Sequence, residues 1–460
     1  MKKENRVLSL GESSINKLML KFSIPCILSL LVSSFYNIVD QIFIGNSELS
    51  TLGNAATGVV FPVFIIAQAF AWCFGDGCAA FLNICQGRKD DQNAHRAIGS
   101  SLTVAFLSGL LIMGVVYPFK REILTVFGAS ENTMGYAVEY LDIILAAIPI
   151  FILCNMMNSI IRADGSPSWA MVSMLTGAIT NIILDPVFIF GLKWGMTGAA
   201  LATVIGQLAS FAMSLSYLFR TKTFKLTAKS FVPSFGALGG VVELGFSTFV
   251  SQLAIVVVAI LSNVQLARYG ALSEYGADIP IAVIGIQSKV FTVMVNLVVG
   301  IVLGCQPIIS YNMGAGKYDR LMELYRKITA CTLIVGLAFT ALFQLAPDFV
   351  IGLFGEPSNI PNPEAYWIFG EKTLRIFLSL ASVSCLVKMH SIFFQAVGKP
   401  VHAAVSSMVR DVVCFIPLIL IIPAIDPNVE LMLYAAPISD LIALVVIVAL
   451  ALSFVRSLRR

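Results

Sequence analysis

The sequence predicts an all-α polytopic membrane protein, with twelve transmembrane helices in two pseudo-symmetric six-helix lobes. Three observations predict it. The chain of 460 residues is 58% hydrophobic and 12% charged, with a mean hydropathy of +0.88, where a soluble domain carries about 25% charged residues. It contains twelve apolar runs, each close to the roughly 20 residues a spanning helix needs. Residues at corresponding loops of its two halves recur at a nearly constant offset.

In order, the runs lie near 20–44, 55–82, 97–118, 134–160, 168–191 and 196–219, then 238–266, 280–309, 324–346, 367–394, 401–423 and 431–455. The basic N-terminus (Lys2, Lys3, Arg6) leads into polar residues without a small-residue cleavage site, so no signal peptide is expected and the first run is the insertion signal. Pro25 in that run deletes one backbone hydrogen bond and permits a bend. Twenty-one Lys and Arg, from Lys2 to Arg460 and including Arg88, Arg162, Lys225, Lys317 and Lys399, fall on the side of the termini. The opposite loops hold four: Lys120, Arg121, Lys193 and Arg268. Lys and Arg favour the cytoplasmic side, so both termini are expected in the cytoplasm of a bacterial cell, with the chain in its inner membrane. The longest polar break, Arg220–Lys229, sets the expected lobes at 1–225 and 226–460. The nine cysteines contain no CxxC pair and mostly lie in apolar runs, as buried inert thiols do.

Gly75, Asn83, Gly87 and Asp90 recur 229 residues later as Gly304, Asn312, Gly316 and Asp319. Phe127-Gly128 recurs as Phe354-Gly355, and Gly165 and Pro167 as Gly398 and Pro400. An even number of spans per half makes the repeats parallel, with a central cleft between the two bundles. Such an architecture suits a transporter that rocks between two openings. The segments GIVLGCQPIISYNMGAGKYDR (300–320), RADGSPSWAM (162–171) and TNIILDPVFIFGLKWGMTGAALATVIGQ (180–207) resemble the multidrug and toxic compound extrusion (MATE) family, over nearly the whole chain and closest to its bacterial drug-efflux branch. The resemblance implies two six-helix lobes and export of organic, mainly cationic, compounds by antiport with H+ or Na+. It also implies no further cofactor, a coupling cation at Asp40, Asn181, Asp185 and Thr203, and a monomer in the lipid bilayer that binds small-molecule drugs and no nucleic acid.

The residues themselves support such a site. Asp40 lies about 28 Å along the first span from Lys21, Asp185 about 25 Å along the fifth from Ser168, and Thr203 about 10 Å into the sixth from the opposite face. All reach the outer half of the bilayer. Asn181 shares a face with Asp185, and Asn37 with Asp40. Two carboxylates in a low dielectric cannot both stay ionised, so Asp40 and Asp185 would hold a proton, or an Na+ ligated by carboxylate, amide and hydroxyl oxygens. The plainer alternative is that Asp185-Pro186 caps or bends its helix and Asp40 bonds its neighbours.

The second half has no carboxylate where Asp40 sits; its seventh span reads FSTFVSQLAIVVVAILSN. Glu243, Lys289, Lys388, Arg410, Asp411 and Asp440 are its intramembrane charges, and Asp440 is the one to watch. Adjacent residues point about 100° apart on a helix, so Arg410 and Asp411 are expected to pair with other helices rather than with each other. Candidates for the substrate cleft are Phe35, Tyr36, Asn37, Met156, Met157, Met171, Met174, Phe291, Met294, Met389 and Met408, since adaptable Met suits varied ligands. Asn155, Asn158 and Ser159 add a polar strip on the fourth span.

Other classes fit less well. The histidines (His95, His390, His402) are scattered, and HExxH, GxSxG and GxxxxGK[ST] are missing, so no enzyme is expected. A passive channel needs no carboxylate pair. A lipid-linked oligosaccharide flippase of the same superfamily is the nearest rival, but the buried charge here is acidic, which suits cationic cargo.

Overall fold

The structure, a computed structural model, describes residues 10–47, 49–224, 226–232, 234–276, 278–354 and 362–459, without the side chains of 37, 50, 51, 228, 229 and 459. Lys2, Lys3, Arg6, Lys225, Gly355 and Arg460, used above, lie outside the described residues, as does the side chain of Asn37.

Eleven helices among the described residues are long and apolar enough to cross a membrane, and one bent pair makes a twelfth. In the first half these are α1 (Ile15–Gly45), α2 (Ser50–Gly87), α3 (Asp91–Val116), α4 (Glu131–Ala163), α5 (Pro167–Pro186, continued by a π-helical turn Val187–Gly191) and α6 (Gly195–Ser216). In the second they are α7 (Phe235–Gly270), α8 (Asp278–Gly314), α9 (Tyr318–Leu345) and the bent pair α10 (Pro363–Phe377 and Ala381–Ala396). They are followed by α11 (Pro400–Met408, a π-helical stretch Val409–Phe415, then Ile416–Ile425) and α12 (Ala435–Arg459).

Local chemistry sets the ends. Asp90 caps α3 by accepting from the Asn93 amide, and Ser130 with Thr133 forms a capping box on α4. Both α5 and α11 open on a proline in the first turn, just after a glycine in the left-handed region, Gly165 (φ 78°) and Gly398 (φ 77°). The same signals recur because the halves repeat: α3 and α9 are each followed by a short helix, Lys120–Val126 and Pro347–Gly352, and α5 and α11 each contain a π-helical stretch.

The expected tenth span is not continuous. It bends by 49° between Phe377 and Ala381, although residues 378–380 hold neither Pro nor Gly. The cause is on α9. A Cβ at Gly336 would stand 2.7 Å from Ser382 Cα, so the two backbones touch. The Ser382 amide donates to Thr340 Oγ1 (3.2 Å), while the Thr340 hydroxyl donates to its own Gly336 carbonyl. A neighbouring hydroxyl thus takes an amide from the α10 ladder.

By packing, the described helices divide into two compact units. The first is Met1–Gln252, Leu303–Leu321 and Gln395–Pro400; the second is Leu253–Val302, Met322–Phe394 and Val401–Arg460. The half 226–460 therefore lends the start of α7, the end of α8 and the α10–α11 corner to the first unit. There α2 and α7 meet backbone to backbone: a Cβ on Gly245 would lie 1.9 Å from Cys73 O, and one on Gly77 2.3 Å from Val241 O. The large apolar core of this unit is built on α2, α3 and α4. All nine cysteines are free thiols, eight of them buried.

Candidate functional site

The candidate site in the first unit starts from a glycine contact. α5 and α6 touch where Gly177 and Gly206 face each other; a Cβ on either would come within 2.9 Å of the other's carbonyl oxygen. Small residues at a contact let helices approach closely. Asn181 lies four residues along α5 from Gly177, and Thr203 three residues before Gly206 on α6, so both side chains are drawn into one buried space. Asp185 follows Asn181 by one turn. Its side chain cannot leave: Pro186 and the π-helical turn Val187–Gly191 come next, and the residue is 0% exposed.

Asp40 arrives from α1, five residues before the helix ends at Gly45. Measured from their nearest ends, Asp40, Asp185, Thr203 and Tyr140 of α4 lie roughly 8–14 Å deep, on one level. The carboxyl groups of Asp40 and Asp185 are close neighbours, each within electrostatic reach of the other. Asn181 Nδ2 donates to Asp185 Oδ1 at 3.3 Å. The Tyr140 hydroxyl lies beside Thr203, with Asp40, Asp185 and Tyr36 within electrostatic reach. Three buried oxygens have no donor: Asp40 Oδ1, Asp185 Oδ2 and Asn181 Oδ1. Buried polar atoms are nearly always paired, so this cluster is short of positive charge. Two carboxyl groups in contact must share a proton or a metal cation, and the donor set of carboxylates, amide and hydroxyl fits either H+ or Na+.

The structure thus brings together Asp40, Asn181, Asp185 and Thr203 and adds Tyr140, which the sequence reading missed. A tyrosine inside an apolar run carries no charge to flag it, and its depth, close to that of Thr203, is shared by many other side chains. Arg162 is a second correction. Counted above with the loop cations, it is inside α4, and its side chain is only 13% exposed. Its guanidinium donates to Asp76 Oδ1 (3.3 Å) and Ser159 Oγ (2.9 Å), and Ser159 donates to Asp76 (2.8 Å). Asp164, also missed, is buried and ties the α4–α5 turn to Tyr217 (2.6 Å) and to the amides of Lys222 and Thr223 (2.7 and 2.8 Å).

The second unit holds a different cluster, on α8, α10, α11 and α12. Arg410 Nε donates to Asp440 Oδ1 and Nη1 to Asp411 Oδ1, both at 2.6 Å. Ser384 donates to Asp440 (2.8 Å). The guanidinium lies 5.6 Å over the Phe291 ring. The expectation that Arg410 and Asp411 would not pair with each other is therefore corrected. Both sit in the π-helical stretch of α11, and a guanidinium fork offers separate nitrogens to two carboxylates at once. Lys289 is exposed and turned to Phe354, 6.0 Å from its ring, and Glu243 is exposed.

The cleft candidates are found in both units. Phe35 is 56% exposed, Tyr36 is half-buried within electrostatic reach of Tyr140, and Asn37 is on α1. Met171, Met174, Asn155, Phe291 and Met408 are half-buried. Met156 and Met157 are buried in the core where α4 packs on α2, and Met294 and Met389 are buried in the second unit. Asn158 is buried and donates to Cys154 O (2.9 Å), and Asn155 donates to Phe151 O (2.9 Å).

Comparison with known proteins bears on the fold and the family. The MatE family model matches residues 25–187 and 249–421. The multidrug export protein MepA of Staphylococcus haemolyticus (strain JCSC1435) is 28% identical over 359 residues, 78% of this chain and 77% of that protein. MepA of Staphylococcus aureus (strain MSSA476) is 25% identical over 428 residues, 92% of this chain and 90% of that protein. Among solved structures, a MOP superfamily transporter from Pyrococcus furiosus superposes with a TM-score of 0.89, 22% identity and 98% of each chain covered. An outward-facing multidrug resistance MATE family transporter gives 0.87, 22% and 98% of each. At that identity these two share the fold. The match of the family model over most of the chain shows more: this multi-pass membrane protein belongs to the multidrug and toxic compound extrusion (MATE) family of transporters.

Proposed function

We propose that this protein is a secondary active exporter of organic, mainly cationic, compounds, driven by antiport of H+ or Na+ through Asp40, Asn181, Asp185 and Thr203. One observation carries the reading: three buried oxygens of Asp40, Asp185 and Asn181 lack donors in the first unit. An ionisable group within a membrane span is costly and marks a functional site; a pair of them short of a cation marks one that a cation enters. The similarity to multidrug export proteins supports drug-like cargo.

The chemistry of exchange follows from charge. With a cation bound, the negative charge of the carboxylate pair falls by one and its field on a cationic drug weakens. With the cation gone, the field returns. Linkage makes the effect reciprocal, so drug binding favours cation release. The distribution of Lys and Arg, 20 to 4 with the buried Arg162 set aside, supports cytoplasmic termini in a bacterial cell. Efflux of a cationic dye from everted membrane vesicles tests the reading. A proton or Na+ gradient, imposed separately, is expected to drive dye movement, and the effective one names the ion. Dye movement indifferent to both gradients refutes antiport.

A further inference from the structure

The two clusters occupy equivalent helices of the repeat. In the first unit the site residues come from α1, α4, α5 and α6; in the second, Ser384, Arg410, Asp411 and Asp440 come from α10, α11 and α12, the counterparts of α4, α5 and α6. The depth of one pair of equivalents agrees. Thr203 is eight residues into α6, and Asp440 nine into the span Leu431–Leu458. A π-helical stretch adjoins Asp185 on α5 and holds Arg410 and Asp411 on α11; such stretches recur at functional sites. Each cluster contains two carboxylates. They differ in what balances them. The first has three oxygens without donors. In the second, Asp440 (1% exposed) accepts from both Ser384 and Arg410, and Asp411 accepts from Arg410.

We propose that Arg410 is a tethered cation that permanently fills the second unit's carboxylate site, so that exchange of the coupling cation is confined to the Asp40–Asp185 site of the first. The inference rests on the antiport reading for the wild-type count but not for its central claim about Arg410. A guanidinium stays protonated under all working conditions and is covalently held, so it cannot leave as H+ or Na+ does. Its place over Phe291 and its two carboxylate bonds fix it further. Of the neighbouring ionisable groups, Cys385 lies beside Asp440 and Arg410 as a buried thiol, and Lys289 is turned to Phe354. Removing the guanidinium would leave Asp411, Asp440 and Ser384 as an oxygen site of the same chemistry as the first, for one monovalent cation, H+ or Na+.

The test counts exchangeable cations on the purified full chain. Na+ is counted by equilibrium dialysis and protons by an indicator on addition of a cationic dye. Wild type is expected to show one cation, Arg410→Gln two, Asp185→Asn none, and the double variant Arg410→Gln/Asp185→Asn one. The melting temperature of Arg410→Gln should rise with the added cation, because a ligand bound only by the folded state stabilises it. A folded Arg410→Gln with an unchanged count overturns the proposal. If wild type shows none and Arg410→Gln gains one, the antiport reading fails while this one stands. Should Arg410→Gln not fold, Asp411→Asn decides: an unchanged count upholds the proposal, and loss of one cation overturns it.

Discussion

Asp40 and Asp185 in the first unit meet each other beside an amide and two hydroxyls; Asp411 and Asp440 in the second meet an arginine. The helices that carry them are equivalent in the repeat, and both sets contain a π-helical stretch. What separates the clusters is the origin of the balancing positive charge. In one, three oxygens are left without donors, and on the antiport reading proposed above the charge comes from solution. The other carries it on the chain, with both carboxylates held at 2.6 Å. A duplicated fold can thus keep one exchangeable site and seal the other by a single residue. The first unit itself contains a sealed carboxylate, Asp76, bonded to Arg162 and Ser159. An intramembrane carboxylate can therefore be fully paired on the chain; among the carboxylates of the described residues, the missing donor sets Asp40 and Asp185 apart.

The largest expected effect breaks or upholds this contrast directly. Asp185→Asn should abolish dye efflux, and Asp440→Asn, at equal expression, should leave a measurable part of it. Asp40→Asn keeps the shape of the loaded state but cannot release a cation. Its affinity for a cationic dye should be lower than wild type and flat between about pH 6 and 8, because the group that carries the response is gone. Equal loss of efflux in Asp185→Asn and Asp440→Asn, or a wild-type pH and Na+ response in Asp40→Asn, places coupling outside the first-unit pair.

A smaller effect is expected at Tyr140, which sharpens what the first site needs. Tyr140→Phe keeps the buried ring and removes only the hydroxyl that faces Thr203 and the two carboxyl groups. One net hydrogen bond contributes about 0.5–1.5 kcal/mol, so the apparent affinity for the coupling cation should fall about two- to tenfold, with efflux retained. Concentration dependence of the driving ion in vesicles measures it. An unchanged affinity makes Tyr140 a packing residue.

How much of this was legible in the sequence follows from where the information lies. Asp40, Asn181, Asp185 and Thr203 were placed together by depth arithmetic and helical spacing, because straight helices of known rise convert residue number into height. Tyr140 was not, because height alone does not single out an uncharged side chain among many at one level. Arg162 was misplaced because α4 runs past the estimated end of its apolar run, which turns a loop cation into a buried one. The bend in α10 is written on another helix, in Gly336 and Thr340 of α9. The Arg410–Asp411 pair was misjudged because regular α-helical angles were assumed where the chain adopts a π-helical stretch.

The smallest expected effect compares ion pairs near the helix ends. In the first unit Lys120 and Asp142 pair at 2.6 Å, and in the second Lys372 and Glu430 pair at 2.8 Å with Tyr275 donating to the same Glu430 oxygen at 2.5 Å. Partial burial alone pushes the Glu430 carboxyl up, but the bonds from Lys372 and Tyr275 outweigh it and hold the group below its ordinary range. Burial and the neighbouring carboxylate in turn push the Tyr275 hydroxyl up to about 12, so it remains a donor throughout the working range. The sign for Glu430 follows. A carboxylate with a lowered folded-state pKa stabilises the fold above its ordinary pKa, and that contribution is lost as pH falls through the lowered value. The side chains are 41% and 27% exposed, so solvent screening keeps the contribution below about 1 kcal/mol. Glu430→Gln should lower the melting temperature slightly at pH 7, and the difference from wild type should shrink as the pH falls from the ordinary carboxyl value of about 4 through the lowered folded-state value, below which the wild-type carboxyl is protonated too. A difference that grows on acidification would mean that Glu430 is held by something other than its charge.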